Sequence, residues 1–237
     1  MSNPGFHFKQ FSVHHDLCAM KVGTDGVLLG AWAPCETTAK VLDIGTGSGL
    51  IALMLAQRSQ AEITAIDIDE GAIRQAEINF GASPWSSRLR VVRVSLQEFS
   101  LQSTGKFDLI VSNPPYFINA LKSGQTSRDY ARHADTLPLE TLLHCTAQLL
   151  SPSGKASFVF PADSANQLED IAWEKDLHLT HRMDVSNNEG GKPKRVLMTF
   201  GFSRTPIMRT QLALREANNK YTDAFKALCG KFYLDLK

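Results

Sequence analysis

A chain of 237 residues, 43% hydrophobic and 21% charged, has ordinary globular composition, which excludes a disordered or membrane-embedded protein and allows one large α/β core. The formal net charge is +1, so bulk charge does not recruit nucleic acid and any basic footprint has to be local. The first twenty residues are polar, with His7, Lys9, His14, His15 and Asp16, and no stretch approaches the ~20 apolar residues of a membrane span, so neither signal peptide nor anchor is expected and the chain reads as cytoplasmic.

Residues 1–39 read as an N-terminal cap segment, 40–203 as the core and 204–237 as a basic C-terminal tail, all within one domain. From position 40, short apolar runs alternate with amphipathic stretches. Strands are predicted at Lys40–Ile44, Glu62–Asp67, Arg90–Val94, Phe107–Ser112 and Lys155–Phe160, with helices at Leu50–Arg58, Asp69–Phe80, Leu139–Leu150 and Ala162–Glu174. This rhythm implies a mostly parallel sheet with helices on both faces. Leu177–Val185 and Arg195–Phe202, joined only by a polar loop, then read as an antiparallel hairpin, giving seven strands. Cys18, Cys35, Cys145 and Cys229 have neither zinc-finger nor redox spacing and are expected as thiols; His14, His15 and Cys18 lack a second ligand cluster, so no metal is expected.

The first chemical motif is Asp43-Ile44-Gly45-Thr46-Gly47-Ser48-Gly49, where a strand enters a glycine-rich turn and a helix. Glycines let backbone approach a ligand, and a helix start favours negative charge, which fits nucleotide sites generally. A dinucleotide fingerprint places its third glycine one residue later than Gly49. Asp43 would also repel a pyrophosphate on the same turn, yet suits a ligand carrying an ammonium and a sulfonium. The motif therefore favours S-adenosylmethionine over NAD. Asp67, at the end of the second strand, is placed to accept from ribose hydroxyls of either cofactor. Asp69 reads as a helix cap. Ser95 and Leu96 stand where an adenine contact would fall.

The second motif, Asn113-Pro114-Pro115-Tyr116, follows a central strand, whose carboxyl end faces the ligand crevice in such folds. It fits methylation of a conjugated amine. The Asn113 side-chain carbonyl and the Pro114 backbone carbonyl can hold the two amino hydrogens and favour the charge that develops on nitrogen. The prolines stiffen the loop, and Tyr116 offers a face on which a planar group can stack. No metal is required.

Together with Ala19-Met20-Lys21-Val22-Gly23-Thr24-Asp25-Gly26-Val27-Leu28-Leu29-Gly30, Arg132-His133 and Lys231-Phe232-Tyr233-Leu234, these motifs make the whole chain resemble the bacterial tRNA1(Val) adenine-N6 methyltransferases. The resemblance implies a class I methyltransferase fold, a Rossmann-like arrangement ending in an antiparallel hairpin, and methylation of the adenine just 3′ of the anticodon. It implies catalysis by Asn113 to Tyr116 and cofactor contacts at Asp43, Gly45, Gly47, Gly49 and Asp67. It also implies that Gly23, Thr24 and Asp25 close over the methionine end of the cofactor, although a simple turn from Gly23 to Gly26 reads equally well.

A tRNA partner needs a basic surface. Between 186 and 215 stand Lys192, Lys194, Arg195, Arg204, Arg209 and Arg215 against Glu189 alone; beyond the second motif come Lys122, Arg128, Arg132 and His133 against Asp129. Lys192, Lys194, Arg195, Arg132 and His133 are the candidate RNA contacts; a structural role at a helix entry serves His133 equally well. The expected chain is a monomer. Three rival readings stay open: a protein-glutamine methyltransferase, a guanine-N2 methyltransferase, and a tRNA-binding module without catalysis.

Overall fold

The computed structural model describes residues 5–18, 20–114 and 137–236. A small antiparallel ribbon, β1 (Gly5–His7) with β2 (Ser12–His14), precedes helix α1 (Thr24–Trp32). Then come β3 (Lys40–Ile44), α2 (Leu50–Arg58), β4 (Glu62–Asp67), α3 (Glu70–Gly81), β5 (Leu89–Arg93), α4 (Leu96–Gln102) and β6 (Phe107–Ser112). The second half holds α5 (Leu139–Leu149), β7 (Leu150–Pro161), α6 (Ala165–Glu174), β8 (His178–Asn188), β9 (Pro193–Gly201), β10 (Met208–Arg215) and α7 (Asp223–Cys229).

Eight strands form one sheet in the order β10-β8-β9-β7-β6-β3-β4-β5. Among the described residues only β9 runs against the others: both its pairings are antiparallel, and every other neighbouring pair is parallel. The eighth strand, β10, lies within the segment expected as a basic tail. Its charged and polar residues Arg209, Thr210 and Gln211 are the solvated side chains of an edge strand, and they hide its strand character from a reading of charge.

Successive strand residues point to opposite faces, and both faces are covered. Val41, Ile63, Leu109, Val111, Val159 and Leu197 join the core beneath α1, α2, α3 and α7; Leu42, Ile44, Ile66, Ile110, Phe158 and Phe200 join the one beneath α4, α5 and α6. Helix α1 is apolar all round and buried from Gly26 to Ala31, so it lacks the amphipathic period that would announce a helix.

The N-terminal segment is fastened to α3. Asn79, 1% exposed, donates from Nδ2 to the carbonyls of His14 (2.8 Å) and Ser48 (2.7 Å) and accepts from the His14 amide at 2.9 Å. One turn earlier, Gln75 accepts from the Leu17 amide at 2.9 Å. The same segment meets the far end of the chain: Phe8 bridges Tyr233, the Lys9 amide donates to the Phe232 carbonyl at 2.8 Å, and Lys9 Nζ donates to the Gly230 carbonyl at 2.7 Å. No helix among the described residues is long and apolar enough to cross a membrane.

Candidate active site

Because β9 alone is reversed, the carboxyl ends of β3, β4, β6 and β7 share one edge of the sheet with the start of β9. The glycine-rich turn leaves β3 at this edge. Gly45, Gly47 and Gly49 take φ of +67°, +55° and +81°. At Gly49 a side chain is doubly excluded, since a Cβ would also stand 2.5 Å from Phe80 Cε1. The turn is tied to β4: the amides of Gly45 and Thr46 donate to the Ile66 carbonyl at 2.9 and 3.1 Å. The Gly47 amide donates to Asp67 Oδ2 at 2.9 Å, and the Asp69 amide donates to Asp67 Oδ1 at 3.0 Å. Asp67, expected as a ribose acceptor, thus already organises the turn. A carboxylate has about four lone-pair sites, so two oxygens with one bond each keep acceptor capacity for a ligand.

Asp43 is fully buried. Its Oδ2 accepts from Thr46 Oγ1 at 2.7 Å, and its Oδ1 has no hydrogen-bond partner among the described residues. Burial pushes the carboxyl up to about 7; the Thr46 hydroxyl and the Ala52 backbone pull against that, and Asp67 adds to it. An orphaned, buried carboxylate oxygen behind a glycine turn calls for a cationic donor. The donor set therefore fits the ammonium end of S-adenosylmethionine. Exposed Ile68, beside Asp67, adds apolar surface to the same rim. Sequence reasoning passed over Ile68, Thr46 and Asn79; the polar Gln75 and Asn79, four apart on the buried face of α3, were the available signal.

Ser95 caps α4. Its hydroxyl accepts from the Glu98 amide at 3.2 Å and donates to Glu98 Oε2 at 2.8 Å in a capping box, while Leu96 is buried in the core.

The second motif leaves the sheet one strand from the turn. Ser112 pairs in register with Ile44, and its buried Oγ donates to the Ile44 carbonyl at 2.8 Å. Asn113 follows half-buried and Pro114 buried. Pro115, Tyr116, Lys122, Arg128, Asp129, Arg132 and His133 lie outside the described residues.

The basic residues divide. Lys192 in the β8–β9 turn and Lys194, the second residue of β9, are exposed on the crevice edge. Arg195, grouped with them in the sequence, instead pairs through Nε with Asp25 Oδ1 at 2.8 Å and is only 19% exposed. Arg204 sits at the opposite end of the sheet, with its guanidinium 4.9 Å from the Trp173 ring and its Nε donating to His178 Nε2 at 3.2 Å. Arg215 lies over Tyr221 at 4.2 Å and donates to the Asn219 carbonyl at 2.6 Å. Gly23 is the extended N-cap of α1, with Thr24 and Asp25 in its first turn, so the predicted Gly23–Gly26 turn is a helix start. Among the described residues no group of three or more His, Cys, Asp or Glu is placed to hold a metal ion.

The methyltransferase small domain family matches residues 20–162. A tRNA1(Val) (adenine(37)-N6)-methyltransferase from Bacteroides thetaiotaomicron is 48% identical over 240 residues, covering 100% of both chains. One of the same description from Cronobacter sakazakii is 45% identical over 97% of this chain and 95% of its own. Among solved structures, a predicted O-methyltransferase from Agrobacterium tumefaciens superposes with a TM-score of 0.68 over 88% of this chain and 96% of that one. Its 16% identity speaks for the fold alone. With a glycine turn braced by Asp67, a buried Asp43 and an Asn-Pro strand exit beside them, the chain belongs to the tRNA1(Val) (adenine(37)-N6)-methyltransferase family.

Proposed function

We propose that the chain methylates the N6 amino group of an adenine in tRNA, the adenine at position 37 of tRNA1(Val), using S-adenosylmethionine in the cytoplasm. The observation that carries this reading is the Ser112–Ile44 hydrogen bond, which sets the Asn113-Pro114 exit beside the turn holding Asp43. The names of the full-length relatives supply the acceptor.

Asp43 Oδ1 would receive the cofactor's ammonium, the Gly45–Gly49 backbone would lie along its methionine portion, and the remaining lone pairs of Asp67 would accept from the ribose hydroxyls. Gly23, Thr24 and Asp25 would close over the methionine end, with Ile68 and the start of α4, at Ser95 and Leu96, beside the adenine. When bound, the cofactor supplies a methyl group on a sulfonium, an electrophile that needs no metal. Asn113 and Pro114 do the rest. Their two carbonyls accept the amino hydrogens, turn the nitrogen lone pair toward the methyl, and stabilise the positive charge that grows on nitrogen during attack. Pro115 stiffens the loop and Tyr116 stacks on the base; Lys192, Lys194, Arg132 and His133 hold the RNA.

The test is methyl transfer from labelled S-adenosylmethionine to unmodified bulk tRNA, with the product nucleosides identified by mass spectrometry. N6-methyladenosine is expected. Label in guanosine, or in protein glutamine instead of RNA, overturns the assignment.

A further inference from the structure

Arg195 is the third residue of β9, opposite Pro161 at the end of β7. It shares the sheet face of Leu197, the face that packs against α1. Its Nε donates to Asp25 Oδ1 at 2.8 Å and its Nη2 reaches Asn187 Oδ1 at 3.4 Å, near the limit of a hydrogen bond. Its Nη1 is buried and has no partner among the described residues. Enclosing a cationic N–H without an acceptor is unfavourable, so a long exposed-type side chain is being held here against its own hydration.

What it holds is the first turn of α1. That turn rests on the first residues of α2: Gly26 lies so close that a Cβ would stand 3.1 Å from Leu50 Cδ2, and Leu50 directly follows Gly49. Asp25 is thus a carboxylate in the turn of α1 that packs on the start of α2. Arg195 pairs with that carboxylate, fixes the turn of α1 to the hairpin, and keeps one buried N–H for an acceptor. We infer that Arg195 is a positioning residue for the cofactor, acting through Asp25 to set the α1 cap over the methionine end. The inference rests on the cofactor reading above, in which Gly23 to Asp25 form that cap.

The test is calorimetric titration of the full chain with S-adenosylhomocysteine, without RNA, for wild type, R195M, R195K, D25N and the R195M/D25N double variant. A weakening of about tenfold is expected for R195M and a comparable one for D25N, with the double variant no weaker than the worse single one, since both remove the same contact. R195K should recover part of the loss. With tRNA added, the penalty should fall on the cofactor KM rather than on kcat. Wild-type affinity in a folded R195M, or losses that simply add, would overturn the inference. Should R195M fail to fold, D25N decides alone: unchanged affinity there overturns it equally. Because the titration contains no RNA, a wrong acceptor assignment leaves its outcome untouched, whereas a wild-type chain that binds no cofactor would sink the parent reading itself.

Discussion

The Gly47 amide points at Asp67 Oδ2 across 2.9 Å, so the end of β4 shapes the turn that leaves β3. The same carboxylate holds the Asp69 amide and thereby starts α3. Replacing Asp67 by Ala should release both amides and weaken S-adenosylhomocysteine binding by at least about tenfold, the scale of a lost charge-assisted hydrogen bond. Asn at this position keeps one acceptor and should lose less. Calorimetry on the two variants distinguishes a turn organiser from a mere ribose contact, because only the organiser role also lowers the unfolding temperature of the cofactor-free protein.

Asp43 makes the cofactor-free protein pH-sensitive. Its carboxyl rises from the ordinary 3.8 to about 7 on burial, so between these values the folded state keeps a proton that the unfolded chain gives up. Stability should therefore fall as pH rises through that window, by at most about 1.4 kcal/mol per pH unit. Asp43→Asn should flatten the slope while abolishing most cofactor affinity. Urea unfolding from pH 4.5 to 7.5 on both proteins gives the difference; parallel curves would show that Asp43 is ionised throughout.

Removing the acceptor at Asn113 should separate chemistry from binding. Asn113→Ala is expected to lower kcat by about 10²–10³, the usual scale for one lost electrostatic contact to a transition state. S-adenosylhomocysteine affinity should change little. Single-turnover rates with saturating tRNA measure this, and equal rates in the mutant would refute the two-carbonyl mechanism.

The hairpin tip should act on RNA through charge alone. Lys192→Gln with Lys194→Gln is expected to reduce the slope of log affinity against log salt by about 1–2, as two lost phosphate contacts would. Anisotropy titrations with tRNA from low to physiological salt read the slope directly. An unchanged slope would remove the tip from the interface.

Asn79 should matter beyond its own helix. Asn79→Ala removes three hydrogen bonds and leaves the Ser48 and His14 carbonyls in need of partners, costing about 2–4 kcal/mol by the scale of buried polar groups. Chemical denaturation gives the loss, and faster proteolytic cleavage ahead of α1 would locate it in the N-terminal segment.

Much of this was legible in the sequence for identifiable reasons. The core strands alternate cleanly between two apolar faces, and the acid-glycine turn and the Asn-Pro exit stand out through residue type and spacing. Helix α1 escapes a reading of periodicity because Gly26 to Ala31 are buried all round and show no period, and β10 does so because an edge strand wears the polar residues of a tail. Arg195 neighbours Lys192 and Lys194 in sequence but parts from them in space, because charge in a sequence carries no direction. Only the register of β9 reveals that Arg195 turns inward onto Asp25.

The clasp between Lys9 and Gly230 bears on the order in which the fold forms. Lys9 and Gly230 are 221 positions apart, yet their contact closes the ribbon that Asn79 joins to the glycine-rich turn. A contact between residues so far apart is among the most non-local in the fold, so the sheet from β3 to β9 can assemble before this clasp forms. A partly folded chain would carry the turn while lacking its outer brace, and the capacity to hold a ligand firmly would arrive only with this most distant contact.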